Sequence, residues 1–144
     1  MTKLSLFGCG LVFSFQIITN TMNPKERSAW LIDQIEKIYQ KVEEWKNEEV
    51  KAIISLTDRD FDRHGTSSVH FSFVLKSFAV RTSGARMMFF GTAQELIEIV
   101  AGFLEEIEIS ENKLIFLEHL EDKWYRKTIL FRKAKLSATE QNVS

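Results

Sequence analysis

Apolar and polar residues alternate through residues 67–91, SSVHFSFVLKSFAVRTSGARMMFFG, a stretch with five phenylalanines and no acidic residue. Alternation with period two puts one set of side chains on each face of a strand, so this stretch predicts paired β-strands at the centre of the fold. Val69, Phe71, Phe73 and Leu75 share one face, and His70, Ser72 and Lys76 the other. Beyond Lys76-Ser77 the apolar set continues on even numbers, as Phe78 and Val80. A one-residue slip would carry the set to the opposite face, so a bulge or a tight reversal has to sit there. Thr82-Ser83-Gly84 marks a turn, and residues 86–90, apolar on both faces apart from Arg86, read as a central strand.

The flanking segments predict helices and further strands. Asn23, Pro24 and a glutamate at position 26 together form a helix start. Leu31, Ile35, Ile38, Val42 and Trp45 then recur at spacings of four and three, which predicts an amphipathic helix whose stripe packs on the sheet. The same spacing is heptad-like and would also suit a homodimer seam. Residues 50–56 predict a short strand. Thr92, with Glu95 three residues on, predicts a second capped helix with Leu96, Val100, Phe103 and Ile107 on its inner line. Gly102 would cost that helix about 1 kcal/mol relative to Ala and would mark a close approach to the sheet. Residues 114–120 and 124–133 read as a hairpin joined by Glu121-Asp122-Lys123. The expected fold is therefore α+β, with two amphipathic helices packed on one face of an antiparallel sheet of five to six strands, in one domain spanning 22–135. Residues 136–144 form a polar, flexible tail.

Residues 1–21 admit three readings. A basic start and an apolar run from Leu4 to Ile18 resemble a signal peptide, but Gly8, Gly10, Ser14 and Gln16 interrupt the run and no small-residue cleavage site follows. The run is too short for a membrane span, which takes about 20 apolar residues. Leu11, Phe13, Phe15 and Ile17 alternate with polar neighbours as an extra strand would. Met22 could equally be the true start, leaving a dispensable leader. The expected compartment is the cytoplasm, or outside it if this segment directs export.

Composition changes this picture little. The chain has 144 residues, 44% of them hydrophobic and 27% charged, with one proline and six glycines, as an ordinary single domain has. Cys9 is the sole cysteine, so no intramolecular disulfide forms. The net charge of −1 conceals a sorted distribution. Residues 63–91 and 123–135 are basic and free of acids, whereas residues 95–122 carry nine acidic residues against Lys113 alone.

Chemistry-bearing patterns are weak. Asp58, Asp60 and Asp62 alternate as in a calcium loop, but Arg63 and Val69 stand where such a loop needs glycine and glutamate. His64-Gly65-Thr66 and His70-Phe71-Ser72 have the histidine-x-hydroxyl form of two-histidine phosphoesterases, yet lie too close together to serve separate strands of one cleft. No zinc spacing and no phosphate-binding glycine loop occurs. No catalytic residue, cofactor or metal is therefore assigned.

The stronger lead is a basic and aromatic sheet face. If Tyr125, Ile129 and Phe131 point inward, then Trp124, Arg126, Thr128, Leu130 and Arg132 point outward, beside His70, Lys76, Arg81 and Arg86. The expected site is thus His70, Lys76, Arg81, Arg86, Trp124, Arg126 and Arg132. The expected function is a small non-enzymatic protein-binding domain, an adaptor, inhibitor or chaperone-like module that uses an open sheet face or edge. The alternative is a nucleic-acid or anionic-ligand binder on that same face, and a hydrolase built on the loop histidines and aspartates ranks third.

Overall fold

The computed structural model of the protein describes residues 2–5, 14–17, 22–58, 67–81 and 85–133. The chain runs through β1 (Thr2–Ser5), β2 (Ser14–Ile17), α1 (Pro24–Trp45), β3 (Glu49–Thr57), β4 (Ser67–Arg81), β5 (Arg86–Gly91) and β6 (Leu96–Val100). A 3-10 turn (Ala101–Phe103) then leads to β7 (Leu104–Ile109), β8 (Lys113–Glu121) and β9 (Trp124–Arg132). The strands lie in the order β1-β2-β7-β8-β9-β3-β4-β5-β6, with every neighbouring pair antiparallel. The seven strands β3 to β9 make a curled sheet around α1, and β1 and β2 extend it past β7.

Helix α1 begins as its sequence dictates. Asn23 caps it, its side chain accepting the N–H of Glu26 at 2.8 Å, and Pro24 occupies the first turn. Its buried face is Trp30, Gln34, Ile38, Val42 and Trp45, while Leu31 and Ile35 pack at the margin of the core. Arg27 fixes the first turn to the sheet by donating to the carbonyls of Ala101 and Leu104, at 2.8 and 3.1 Å.

The curl depends on β4. Its first half pairs with β3, its second half with β5, and the register shifts between Leu75 and Ser77. That bulge lies where the apolar phase slips, and a bulge bends and twists its strand. Phe73 and Leu75 before it and Phe78 after it therefore all reach the core. Phe78 meets Phe89 at 4.8 Å between ring centroids, and Phe89 meets Phe116 of β8 at 5.7 Å, so aromatic rings span the interior of the curl.

The expected second helix does not exist, and the sheet has nine strands in place of five or six. Residues 92–109 form a turn, β6, the 3-10 turn and β7. Ile97, Ile99 and Ala101 are buried in alternation, so the period of two prevails over the helical one among residues that satisfy both. Three of the five residues of β6 (Ile97, Ile99 and Val100) are β-branched, which favours a pleated surface over a helix. The capping glutamate serves a turn instead: Glu95 accepts the N–H of Ala93 at 2.9 Å, and Gln94 has a positive φ of 70°. A Cβ on Gly91 would lie 2.2 Å from Glu95 Oε1, so a side chain there would have to displace that glutamate. Gly102, by contrast, faces open space and makes no close approach to the sheet.

Residues 59–66, 82–84 and 134–144 lie outside the described residues, as does most of 1–21. The expected aspartate and histidine loop beyond Asp58, the Thr82-Ser83-Gly84 turn and the polar tail fall there. Among the described residues, no helix is long and apolar enough to cross a membrane.

Candidate binding cleft

The seven residues expected to form one face are distributed over several. On β9, Thr128 and Leu130 are buried and Leu130 stands opposite Leu114 and Ala52 of the core, so the even-numbered set points inward. The inward-facing set on β9 is thus the reverse of the expected one. Both faces of this strand carry apolar residues, so parity could not be fixed from the pattern alone. Arg126 and Arg132 consequently lie on the inner side. Arg132 is enclosed, donating to Glu48 at 2.9 Å and to Asn112 at 3.0 Å, with its guanidinium 5.8 Å from the Trp45 ring. Trp124 is exposed beside the β8–β9 turn, with Lys123 Nζ 5.9 Å from its ring centre. Arg81 and Arg86 oppose each other across β4 and β5, and Arg86 pairs with Glu98 at 2.9 Å. Lys76 is exposed at the bulge. His70 is exposed on the outer face, 3.2 Å from Ser68, outside the cleft described below.

A different outer face results. Ile115, Ile129 and Ile53 form a row across β8, β9 and β3 that continues to His70. Beside it Phe131 stands between Lys113 and Lys51, with Lys51 Nζ 5.9 Å from the ring centre. Lys127 follows on the same face, and its charge acts on Glu106 of β7. Burial, reinforced by Glu105 and Glu108 and partly offset by Lys127, raises the pKa of Glu106 above the usual carboxylate value.

The inner face contains the principal feature. Glu118 of β8 is fully buried and holds Arg126 of β9 through two hydrogen bonds, Nε to Oε1 at 2.9 Å and Nη2 to Oε2 at 2.8 Å. The hydrogen bond to Glu118 raises the pKa of Arg126 further. Glu118 Oε2 also accepts the backbone N–H of Val100 at 3.0 Å, which draws the end of β6 towards β8. Between β6 and the inner face of β9 and β3 a cleft of about 380 Å³ stays open, lined by Ile54, Leu96, Ile97, Glu98, Arg126 and Thr128.

Backbone polarity along β6 gives this cleft its character. Gly91 donates its N–H to Glu95 O, and Ala101 donates to Ala85 O, both at 2.8 Å, so the odd-numbered residues turn their backbone groups to β5. Backbone direction alternates along an antiparallel strand. Leu96, Glu98 and Val100 therefore turn theirs away from β5, and Glu118 takes the N–H of Val100. The N–H and C=O of Leu96 and Glu98 have no hydrogen-bonding partner among the described residues, and β6 is the edge of the sheet.

No family model matches the chain, and no curated protein does. The fold is shared. A solved crystal structure, that of the Bacillus subtilis YojF protein, is similar at a TM-score of 0.52 and 13% sequence identity, covering 85% of this chain and 98% of that one. At that identity the likeness concerns the fold alone.

Sequence reasoning missed Leu96, Glu98, Glu118 and Thr128 as site residues. Leu96 and Glu98 were hidden by the helical reading of residues 92–109. Glu118 was legible: a hairpin that joins Leu120 to Trp124 places residue 118 opposite residue 126 by counting, and opposite charges at that position form a cross-strand pair.

Proposed function

We propose that this protein is a small non-enzymatic binding domain that receives an extended segment of a partner protein along the free edge of β6. The observation that carries this reading is the pair of backbone residues, Leu96 and Glu98, that face a cleft without a hydrogen-bonding partner among the described residues. Only another extended backbone offers donors and acceptors at the spacing of a strand, and addition of a strand to an exposed edge is a recurrent mode of peptide recognition. Leu96, 48% exposed, and half-buried Ile54 supply apolar surface on the two sides. The edge is short and carries Glu98, features that limit uncontrolled edge-to-edge association.

Selection of a random peptide display library on the full chain tests this reading. A selected peptide should bind wild type in solution, should lose binding when its backbone nitrogens are methylated at alternate positions, and should bind the Leu96→Pro variant at least tenfold more weakly. Proline is tolerated at the start of an edge strand and removes only the outward N–H. Binding that survives both changes overturns the reading.

A second reading rests on the outer face, where Lys51 and Lys113 flank Phe131 in one cross-strand row and Lys127 lies nearby. That arrangement suits an anionic partner such as single-stranded nucleic acid, the lysines meeting phosphates. Labelled single-stranded DNA should then bind at low salt and weaken as salt rises. Absence of binding at low salt removes this reading and leaves the first intact.

A further inference from the structure

Resting on the edge-strand reading, we infer that the segment received by β6 carries an acidic side chain that is held by Arg126 and Thr128, with an apolar residue two positions away over Ile54. Three observations converge on the cleft floor. Glu118 occupies Nε and Nη2 of Arg126, which leaves Nη1 without a hydrogen-bond acceptor among the described residues, on a side chain that lines the cleft and is 33% exposed. Thr128, two residues further along the same face of β9, is only 1% exposed and lines the cleft. Ile54 stands directly opposite Thr128 on β3 and supplies the apolar part of the floor.

The two carboxylates beside this position each have a cationic partner. Glu118 is neutralised by Arg126, and Glu98 is held by Arg86 at 2.9 Å. A guanidinium whose Nε side is occupied still presents the N–H groups of its far side, and that planar fork matches a carboxylate. Period-two alternation then fixes the neighbour: side chains two residues apart in an added strand lie on the same face, roughly 6.5–7 Å apart. That spacing matches the step from Arg126 to Thr128 and its partner Ile54. Glu98, in the middle of β6, lines the same cleft as Arg126, which places the guanidinium beside the centre of that strand.

The probes are two short synthetic peptides of alternating threonine and valine with blocked ends. One carries glutamate in place of a central valine, and the other carries glutamine there. Fluorescence anisotropy should show the glutamate peptide binding the full chain at least tenfold more tightly than the glutamine peptide. Thr128→Val, which keeps the shape and removes the hydroxyl, should weaken the glutamate peptide several-fold and so narrow its preference over the glutamine peptide. Arg126→Lys, which keeps a positive charge beside Glu118, should abolish most of the preference, with circular dichroism confirming the fold. Equal binding of the two peptides overturns the acidic side chain and leaves the edge-strand reading standing. Failure of both peptides to bind, in parallel with failure of the display selection, overturns both.

Discussion

Glu118 and Arg126 face each other directly across β8 and β9 and share two hydrogen bonds of 2.9 and 2.8 Å, with Glu118 wholly enclosed. Because Glu118 also takes the Val100 N–H, this one pair joins the end of β6 to the middle of the sheet. Removing one partner of a buried ion pair strands the other charge, at a cost of about 3–5 kcal/mol. Arg126→Ala is therefore expected to lower stability by that amount in urea unfolding. The double variant Glu118→Leu, Arg126→Met should recover most of the loss, and a double variant no more stable than Arg126→Ala would show that the pair is not the source.

The cap of α1 makes a second expectation. Asn23→Ala removes the acceptor of the Glu26 N–H and should cost about 1 kcal/mol. A variant with an unchanged unfolding midpoint would mean that the Arg27 contacts to Ala101 and Leu104, and not the cap, hold the helix start.

Acid dependence follows from Glu106. Its pKa is raised in the fold, chiefly by burial, so the folded state binds a proton more readily than the unfolded chain does. The ionised carboxylate therefore opposes folding, and stability from this group falls as pH rises from the unfolded-state value of 4.5 through the raised one. Glu106→Gln should melt slightly higher than wild type at pH 7, and the difference should vanish below pH 4.5. A variant that is less stable than wild type at neutral pH would indicate that attraction to Lys127 outweighs burial.

The bulge in β4 and the start of α1 were legible because each leaves a local mark: a change of apolar parity at Lys76-Ser77, and an asparagine, proline and glutamate at fixed offsets. Residues 92–109 were not, because Leu96, Ile97, Val100, Leu104 and Ile107 satisfy a helical period while Ile97, Ile99 and Ala101 satisfy a strand period. The choice between them is made by tertiary contacts, with Ile97 and Ile99 buried in the curl and Gly91 folded against Glu95. The same holds for β9, where Thr128 is the buried polar residue that reverses the expected phase. The candidate site depended on both segments, so the shared basic face dissolved and the cleft beside β6 became visible only in three dimensions.

The free edge also makes a direct expectation for the unliganded protein. Amide hydrogen exchange should be fast at Leu96 and Glu98 and slow at Ile97 and Ile99, whose N–H groups face β5, and slow at Val100, whose N–H is held by Glu118. Uniform protection along β6 would mean that another part of the chain already covers this edge.

The most direct test of strand addition is the same exchange measurement made with the glutamate-bearing peptide bound. Strand addition should protect Leu96 and Glu98 at least tenfold, while the amides of Ile97 and Ile99 change little. Protection unchanged at Leu96 and Glu98 under saturating peptide would contradict it.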